Sequence, residues 1–176
     1  MKLELGGGVK PRGEGFANLD KLSVADIQHD ITHYPWPIED GIVTEVYSSH
    51  CIEHVPDPMR MLQEIARVGV LGCPVEIRCP HPISDLAMVW DHRHTFSPIA
   101  AINAEHHFPQ DHWVHEKRLR LQRIEYHPSI LLEEAKRDLP FLRGISNEAI
   151  MKWIPRTCHE CRFFYVVVGN EHYRIS

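Results

Sequence analysis

Met1-Lys-Leu-Glu-Leu-Gly-Gly-Gly8, followed by Phe16-Ala-Asn-Leu-Asp20, is the stretch whose reading decides the fold. A short apolar run, residues 3–5, breaks into three glycines. A second run, residues 16–19, ends in an acid. The pattern predicts strand, glycine turn, strand, carboxylate. Glycines after a strand let the backbone approach a ligand closely, because no Cβ stands in the way. A carboxylate at the tip of the next strand can accept hydrogen bonds from both hydroxyls of a ribose. Together they predict a nucleoside site at the carboxyl edge of a parallel sheet, where open α/β sheets bind ligands. A glycine-rich turn without a ligand is the plainer alternative.

The spacing excludes two common nucleotide motifs. A dinucleotide fingerprint, G-x-G-x-x-G, is met by Gly6 and Gly8 but has Pro11 at its third position. A phosphate-binding loop would need Gly-Lys-Ser/Thr, which is absent. Asp20 follows Gly6 by fourteen positions, sooner than the roughly 20 residues of a dinucleotide fold. Pro11, Gly13 and Gly15 oppose a long first helix. The expectation is a nucleoside loop with a shortened first helix and no pyrophosphate grip.

Further along, residues 23–30 form a short run that again ends in an acid, Asp30. Residues 34–41 are a proline-rich connection. Residues 42–49 read as a fourth strand, apolar and β-branched at its start. Asp57 and Pro58 open a helix over 58–68 as N-cap and first helical residue, with Met59, Leu62, Ile65 and Ala66 at helical spacing. Gly69 and Gly72 end it. Residues 75–79 are a fifth strand. Residues 84–89, 98–107, 130–138 and 147–153 look helical, 113–126 reads as a long strand, and 162–168 is an apolar closing strand buried on both faces. Strands that alternate with connections predict a parallel sheet in an α/β domain. The right-handed crossover rule gathers the strand ends near Gly6, Asp20, Asp30, Ser49 and Pro80 on one edge.

The bulk properties bound the function. The 176 residues are 43% hydrophobic, enough for one domain with a core. With 19 basic and 24 acidic residues the net charge is −5, and no dedicated nucleic-acid surface is expected. The locally basic run over 115–123 reads as a strand with one wet face. No apolar run approaches the roughly 18 residues of a membrane span, and no signal peptide is visible. Five cysteines, an odd number in apolar contexts, suggest reduced thiols and a cytoplasmic protein.

In this order the pieces resemble the small class I S-adenosylmethionine-dependent methyltransferases, specifically those with a shortened first helix. The resemblance rests on Leu3-Glu-Leu-Gly-Gly-Gly8 with Gly15-Phe-Ala-Asn-Leu-Asp20, Ala25-Asp-Ile-Gln-His-Asp30 and Pro35-Trp-Pro-Ile-Glu-Asp40. It continues through Glu45-Val-Tyr-Ser-Ser-His-Cys-Ile-Glu-His-Val55, Glu64-Ile-Ala-Arg-Val68, Val75-Glu-Ile-Arg-Cys-Pro-His-Pro82 and Asp91-His-Arg-His-Thr-Phe-Ser97. It covers residues 1–97 and, more loosely, the closing strand. It implies a Rossmann-like, mostly parallel sheet with an antiparallel closing strand and helices on both faces. The whole chain would form a single domain: a cofactor half over 1–97, a variable substrate side over 98–160 and a closing strand over 161–169.

The cofactor implied is S-adenosylmethionine. Leu5, Gly6, Gly7 and Gly8 would pass under its methionine end, and Asp20 would hold the ribose. Asp30 and Ile31 would meet the adenine, and Ser48, Ser49 and His50 would line the methyl-transfer face. The turn before the fifth strand, Val70-Leu-Gly-Cys73, departs from the Lys-Pro-Gly-Gly usual in the family. No helix precedes the first strand, which implies a more open site or a covering partner, either a second copy or another subunit.

Fourteen histidines invite other readings. His50-x-x-Glu53-His54 matches the letters of a zinc-peptidase motif, but Pro56 and Pro58 oppose the helix that motif needs. Cys158-His-Glu-Cys161 is a lone C-x-x-C, whereas a structural zinc site usually takes four ligands. His106, His107, His112 and His115 are candidates to complete it. Asp91-His-Arg-His94 falls on the expected substrate side. His50 and His94, then His54 and His92, are the candidate bases for deprotonating an acceptor hydroxyl. The acceptor, a small molecule or a macromolecule, is not named by the sequence. A non-catalytic, partner-dependent cofactor module and a histidine-rich metal protein or metallohydrolase are the competing readings.

Overall fold

The computed structural model describes residues 1–13, 15–106 and 117–169, and of residues 104–106 the backbone alone. Seven strands form one sheet: β1 (Lys2–Leu5), β2 (Phe16–Asp20), β3 (Ile27–Gln28), β4 (Glu45–Ser49), β5 (Pro74–Pro80), β6 (Lys117–Pro128) and β7 (Cys158–Gly169). Their spatial order is β3-β2-β1-β4-β5-β7-β6. The first five run parallel, and β7 lies antiparallel between β5 and β6. The reversal of β7 brings its first residues to the edge where β1 to β5 end.

The expected elements appear with shifted bounds. The run ending at Asp30 yields only a two-residue strand, and the fourth strand begins at Glu45. Helices are α1 (Pro58–Val68), α2 (Pro98–His106), α3 (Leu131–Asp138) and α4 (Asn147–Trp153), with 3-10 turns at Asp85–Met88 and Pro140–Gly144. Residues 6–13 hold turns and no helix, so the first helix is shortened to nothing among the described residues. Of the expected strand over 113–126, residues 113–116 lie outside the described residues, and the strand runs on to Pro128.

The core follows the alternation of the strands. Leu3, Leu5, Leu19, Val46, Val75, Ile77, Phe163, Tyr165 and Val167 point to one face and are buried with Met61, Leu62, Ile65 and Ala66 of α1. The other face is polar and aromatic, and part of its cover is made by the helix-free loop itself. The Arg12 guanidinium sits 5.1 Å from the Phe16 ring and 4.4 Å from Tyr47, and the Arg12 amide donates to Glu4 Oε2 at 2.6 Å. This explains a difference in β7. Composition predicts burial on both faces, but Arg162, Phe164, Val166 and Val168 are only half-buried while their neighbours are sealed.

Helix α1 begins as its sequence requires: Asp57 accepts from the Arg60 amide at 2.9 Å, and Pro58 fills the first position. It stops at Gly69, whose φ of −71° any residue adopts. Glycine is needed there for space, since a Cβ would lie 2.7 Å from Val167 Cγ2. Arg67 anchors the helix to the connection before β4. It bonds Glu64 at 2.9 and 2.7 Å, the Ile38 and Trp36 carbonyls at 2.9 and 3.2 Å, and Asp40. Glu64 also accepts from the Trp36 amide at 2.9 Å and is 1% exposed. Removing one partner of a buried, hydrogen-bonded pair leaves an uncompensated charge. Arg67→Ala is therefore expected to cost about 3–5 kcal/mol in chemical denaturation. Asp40→Ala, at the exposed end of the same network, should cost about 0–1 kcal/mol.

Candidate active site

A cleft of about 400 Å³ opens at the carboxyl edge, lined by Gly6, Asp20, Asp30, Ile31, His50 and His54 among others. Gly6 has φ +69°, and a Cβ on it would lie 2.6 Å from the Cys51 thiol. Positive φ and close approach therefore both require glycine. Its amide donates to Leu19 O at 3.0 Å, which closes the turn between β1 and β2.

Asp20 is held by the loops on either side. Its Oδ2 accepts from the Gly8 amide and its Oδ1 from the Leu22 amide, both at 3.0 Å. Asp30 accepts from the Thr32 amide at 2.9 Å and from its hydroxyl at 2.8 Å, and these bonds hold its carboxyl below the usual range. Both acids are thus oriented, with lone pairs left for a ligand.

The remaining predicted cofactor residues are placed differently. Leu5 and Ser48 are fully buried on the core face of the sheet, and neither lines the cleft. Gly7 turns toward Asn18, which accepts its amide at 3.0 Å, and Gly8 lies behind Asp20. Ser49, at the end of β4, is not in the lining either. The strand alternation that buries Ser48 beside Leu5 is the reason. Cys51 takes the place under Gly6, its thiol pushed up to about 12 by burial and hence neutral.

His50, of the candidate bases, is the one held between two carboxylates. It has φ +51°, uncommon for a residue with a Cβ. Its Nε2 donates to Glu160 Oε2 at 3.1 Å, and its Nδ1 is 3.4 Å from Glu53 Oε1. Glu160 first, then Glu53, raises the His50 pKa to about 9 against the opposing cost of burial. The Glu160 carboxyl is held down to about 2, because its bonds to His50 and Arg162 outweigh its burial. His50 is therefore an imidazolium near neutral pH, already protonated and not poised to take a proton. Glu160 sits inside the Cys-x-x-Cys motif, and its partnership with a residue 110 positions away had no local sequence signal.

The other three histidines separate. His54 lines the cleft, its Nδ1 donating to Asp91 O at 3.2 Å, so its Nε2 is the unprotonated nitrogen in the neutral ring. His92 stacks edge-on behind it at 4.6 Å and faces Glu53 at 4.0 Å. His94 donates from Nε2 to Pro56 O at 2.9 Å and opens onto a neighbouring groove with Met59 and Phe96. Glu53, His54 and His92 have the donor types of a metal triad, but Glu53 already faces the His50 cation. His107, His112 and His115 lie outside the described residues.

Residues 11–71 match the family described as methyltransferase domain. No curated protein matches the chain. Solved structures are similar in fold. A S-adenosylmethionine-dependent methyltransferase from Archaeoglobus fulgidus aligns with TM-score 0.63 at 15% identity, over 93% of this chain and 84% of its own. A chain in the complex of the Haloferax volcanii Trm112 methyltransferase activator with a methyltransferase aligns with TM-score 0.56 at 16% identity, over 93% and 80%. Phosphoethanolamine N-methyltransferase 2 of Haemonchus contortus, solved with S-adenosylhomocysteine, aligns with TM-score 0.53 at 17% identity, over 96% of this chain and 50% of its own. The match over residues 11–71 is to the methyltransferase domain, and the fold is the one these solved methyltransferases share.

The His50 pair makes a pH prediction. A group whose pKa rises on folding stabilises the native state fully below its unfolded value, near 6.5, and that contribution is lost as pH climbs through about 9. The His50 ring resonances should titrate near pH 9 by NMR. Glu160→Gln should move that midpoint down toward the ordinary histidine range and flatten the loss of thermal stability over the same window.

Proposed function

We propose that the protein transfers the methyl group of S-adenosylmethionine to a hydroxyl or amine acceptor presented at the mouth of the cleft. The observation that carries this is the convergence of the left-handed Gly6 turn with the oriented carboxylates of Asp20 and Asp30 around one cleft. The residues present fit the cofactor. Gly6 would leave room for the methionine portion, Asp20 would accept from the ribose hydroxyls, and Asp30 with Ile31 would border the adenine. The bound cofactor supplies a sulfonium methyl with a built-in leaving group. The protein's task is then alignment and exclusion of water.

His54 is the base best placed for a hydroxyl acceptor, because its Nε2 is free to accept and the ring borders the cleft. His50, charged and fixed between Glu53 and Glu160, instead holds the end of β4 against β7 and presents positive charge to the site. His92 backs the His54 ring. This ordering differs from the sequence expectation, which favours His50 and His94.

A partner-dependent form of the same activity is the second reading. One structural neighbour is a methyltransferase complexed with an activator, and here Met88 and Trp90, on the substrate side, are 77% and 102% exposed. In that form the isolated chain binds cofactor and turns over only with its partner.

Calorimetric titration with S-adenosylhomocysteine tests the cofactor site. Asp20→Ala removes charge-assisted bonds worth about 1.5–3 kcal/mol each and should weaken binding roughly 10- to 100-fold. Absence of binding to well-folded wild-type protein would overturn the reading. Once an acceptor is found, His54→Gln should lower kcat by about 10²–10⁴-fold with cofactor affinity unchanged.

A further inference from the structure

The carboxyl edge holds a second cluster that the cleft does not use. His81 follows the end of β5, and Cys158 and Cys161 stand at the first and fourth residues of β7. Each offers one ligand atom, and the three atoms lie within 4.8 Å of one another. All three residues are buried, His81 at 5% and both cysteines at 0%. The backbone holds them together independently of their side chains. Cys79 and Cys161 are register partners, Pro80 pairs with Glu160, and the His81 amide donates to His159 O at 3.1 Å.

We propose that His81, Cys158 and Cys161 form a zinc site. The donor set is two sulfurs and one imidazole, the soft combination that selects zinc over magnesium or calcium. The Cys-x-x-Cys spacing lets two thiolates reach one ion, and an imidazole from a different strand supplies the cross-link. Charge favours the same assignment. Two thiolates neutralise a divalent cation, so the occupied site is neutral, and a neutral site is what a fully buried location tolerates. Cys79, directly across the ladder from Cys161, is the candidate for the fourth position; its thiol now donates to Phe96 O at 3.5 Å. Entering as the neutral thiol it would leave the site uncharged, and as a thiolate it would complete a Cys₃His set, one of the closed sets of structural zinc, at the cost of one net negative charge. The ion would clamp the end of β5 to the start of β7 and so hold Glu160, which lies between the two cysteines, against His50. This goes beyond the methyl-transfer reading and does not depend on it.

The test is metal analysis and cobalt substitution of the reduced, full-length protein. The expected result is one zinc per chain retained through dialysis. Cobalt in its place should give an intense thiolate-to-metal charge-transfer band and tetrahedral visible bands. The Cys158→Ser/Cys161→Ser double variant should lose both signals. His81→Ala should keep a thiolate band but weaken zinc retention by more than the roughly 10- to 100-fold that loss of a second-shell partner costs. Wild-type protein that is folded, supplied with zinc and dialysed, yet retains none, overturns the proposal. So does cobalt bound without a thiolate band, which would put the metal elsewhere, as at Glu53, His54 and His92. The wild-type cobalt spectrum decides the matter even where a variant fails to fold.

Discussion

The architecture depends on how its early connections satisfy backbone amides without helices. A helix would bond most of its own N–H groups internally. Here carboxylates and one amide do that work. Asp20 accepts from Gly8 and Leu22, Asn18 from Gly7, Asp26 from the Asn18 amide, and Asp30 from Thr32. Buried backbone donors must find partners, and these side chains reach them across the turns rather than along a helix. The same bonds fix the orientation of Asp20 and Asp30. Loop closure and site preorganisation are therefore one set of interactions in this protein.

The far side of the edge is organised by charge. β7 enters antiparallel, so its first residues meet the ends of strands that run the other way. Glu160 reaches His50 there, and Glu53 reaches it from the turn after β4. Holding a cation between two carboxylates at a partly buried position changes what His50 can do. It becomes a fixed positive group, whereas His54, four positions on, is anchored through Nδ1 to the Asp91 carbonyl and turns its ring to the cleft. Environment, not residue type, distinguishes the surroundings of two histidines four positions apart.

Much of this was legible in the order of residues. Asp57-Pro58 with its apolar spacing marked α1 to the residue, and the glycine turn with Asp20 marked the edge where the cleft opens. Asp30 was recognisable as a strand-end acid, although the strand before it shrank to two residues where, among the described residues, it pairs with the end of β2 alone. The face Ser48 occupies was not legible, because residue type and proximity to the strand end say nothing about pleat; alternation turned it into the core. The bonds from Arg67 to Trp36, Ile38 and Asp40 and the pairing of Glu160 with His50 join residues from 27 to 110 positions apart, beyond the reach of any local pattern.

What the sequence by itself determined is what short-range physics controls: strand and helix propensity, the caps of α1, the glycines that permit left-handed turns, and the parallel sheet implied by their alternation. Tertiary structure alone decided which side chains share an environment. It put Cys51 beneath Gly6, His81 beside Cys158 and Cys161, and two acids around His50. Those neighbours follow from strand order and from the reversal of β7. Both are settled by burying one continuous apolar face, a global condition that no single segment carries.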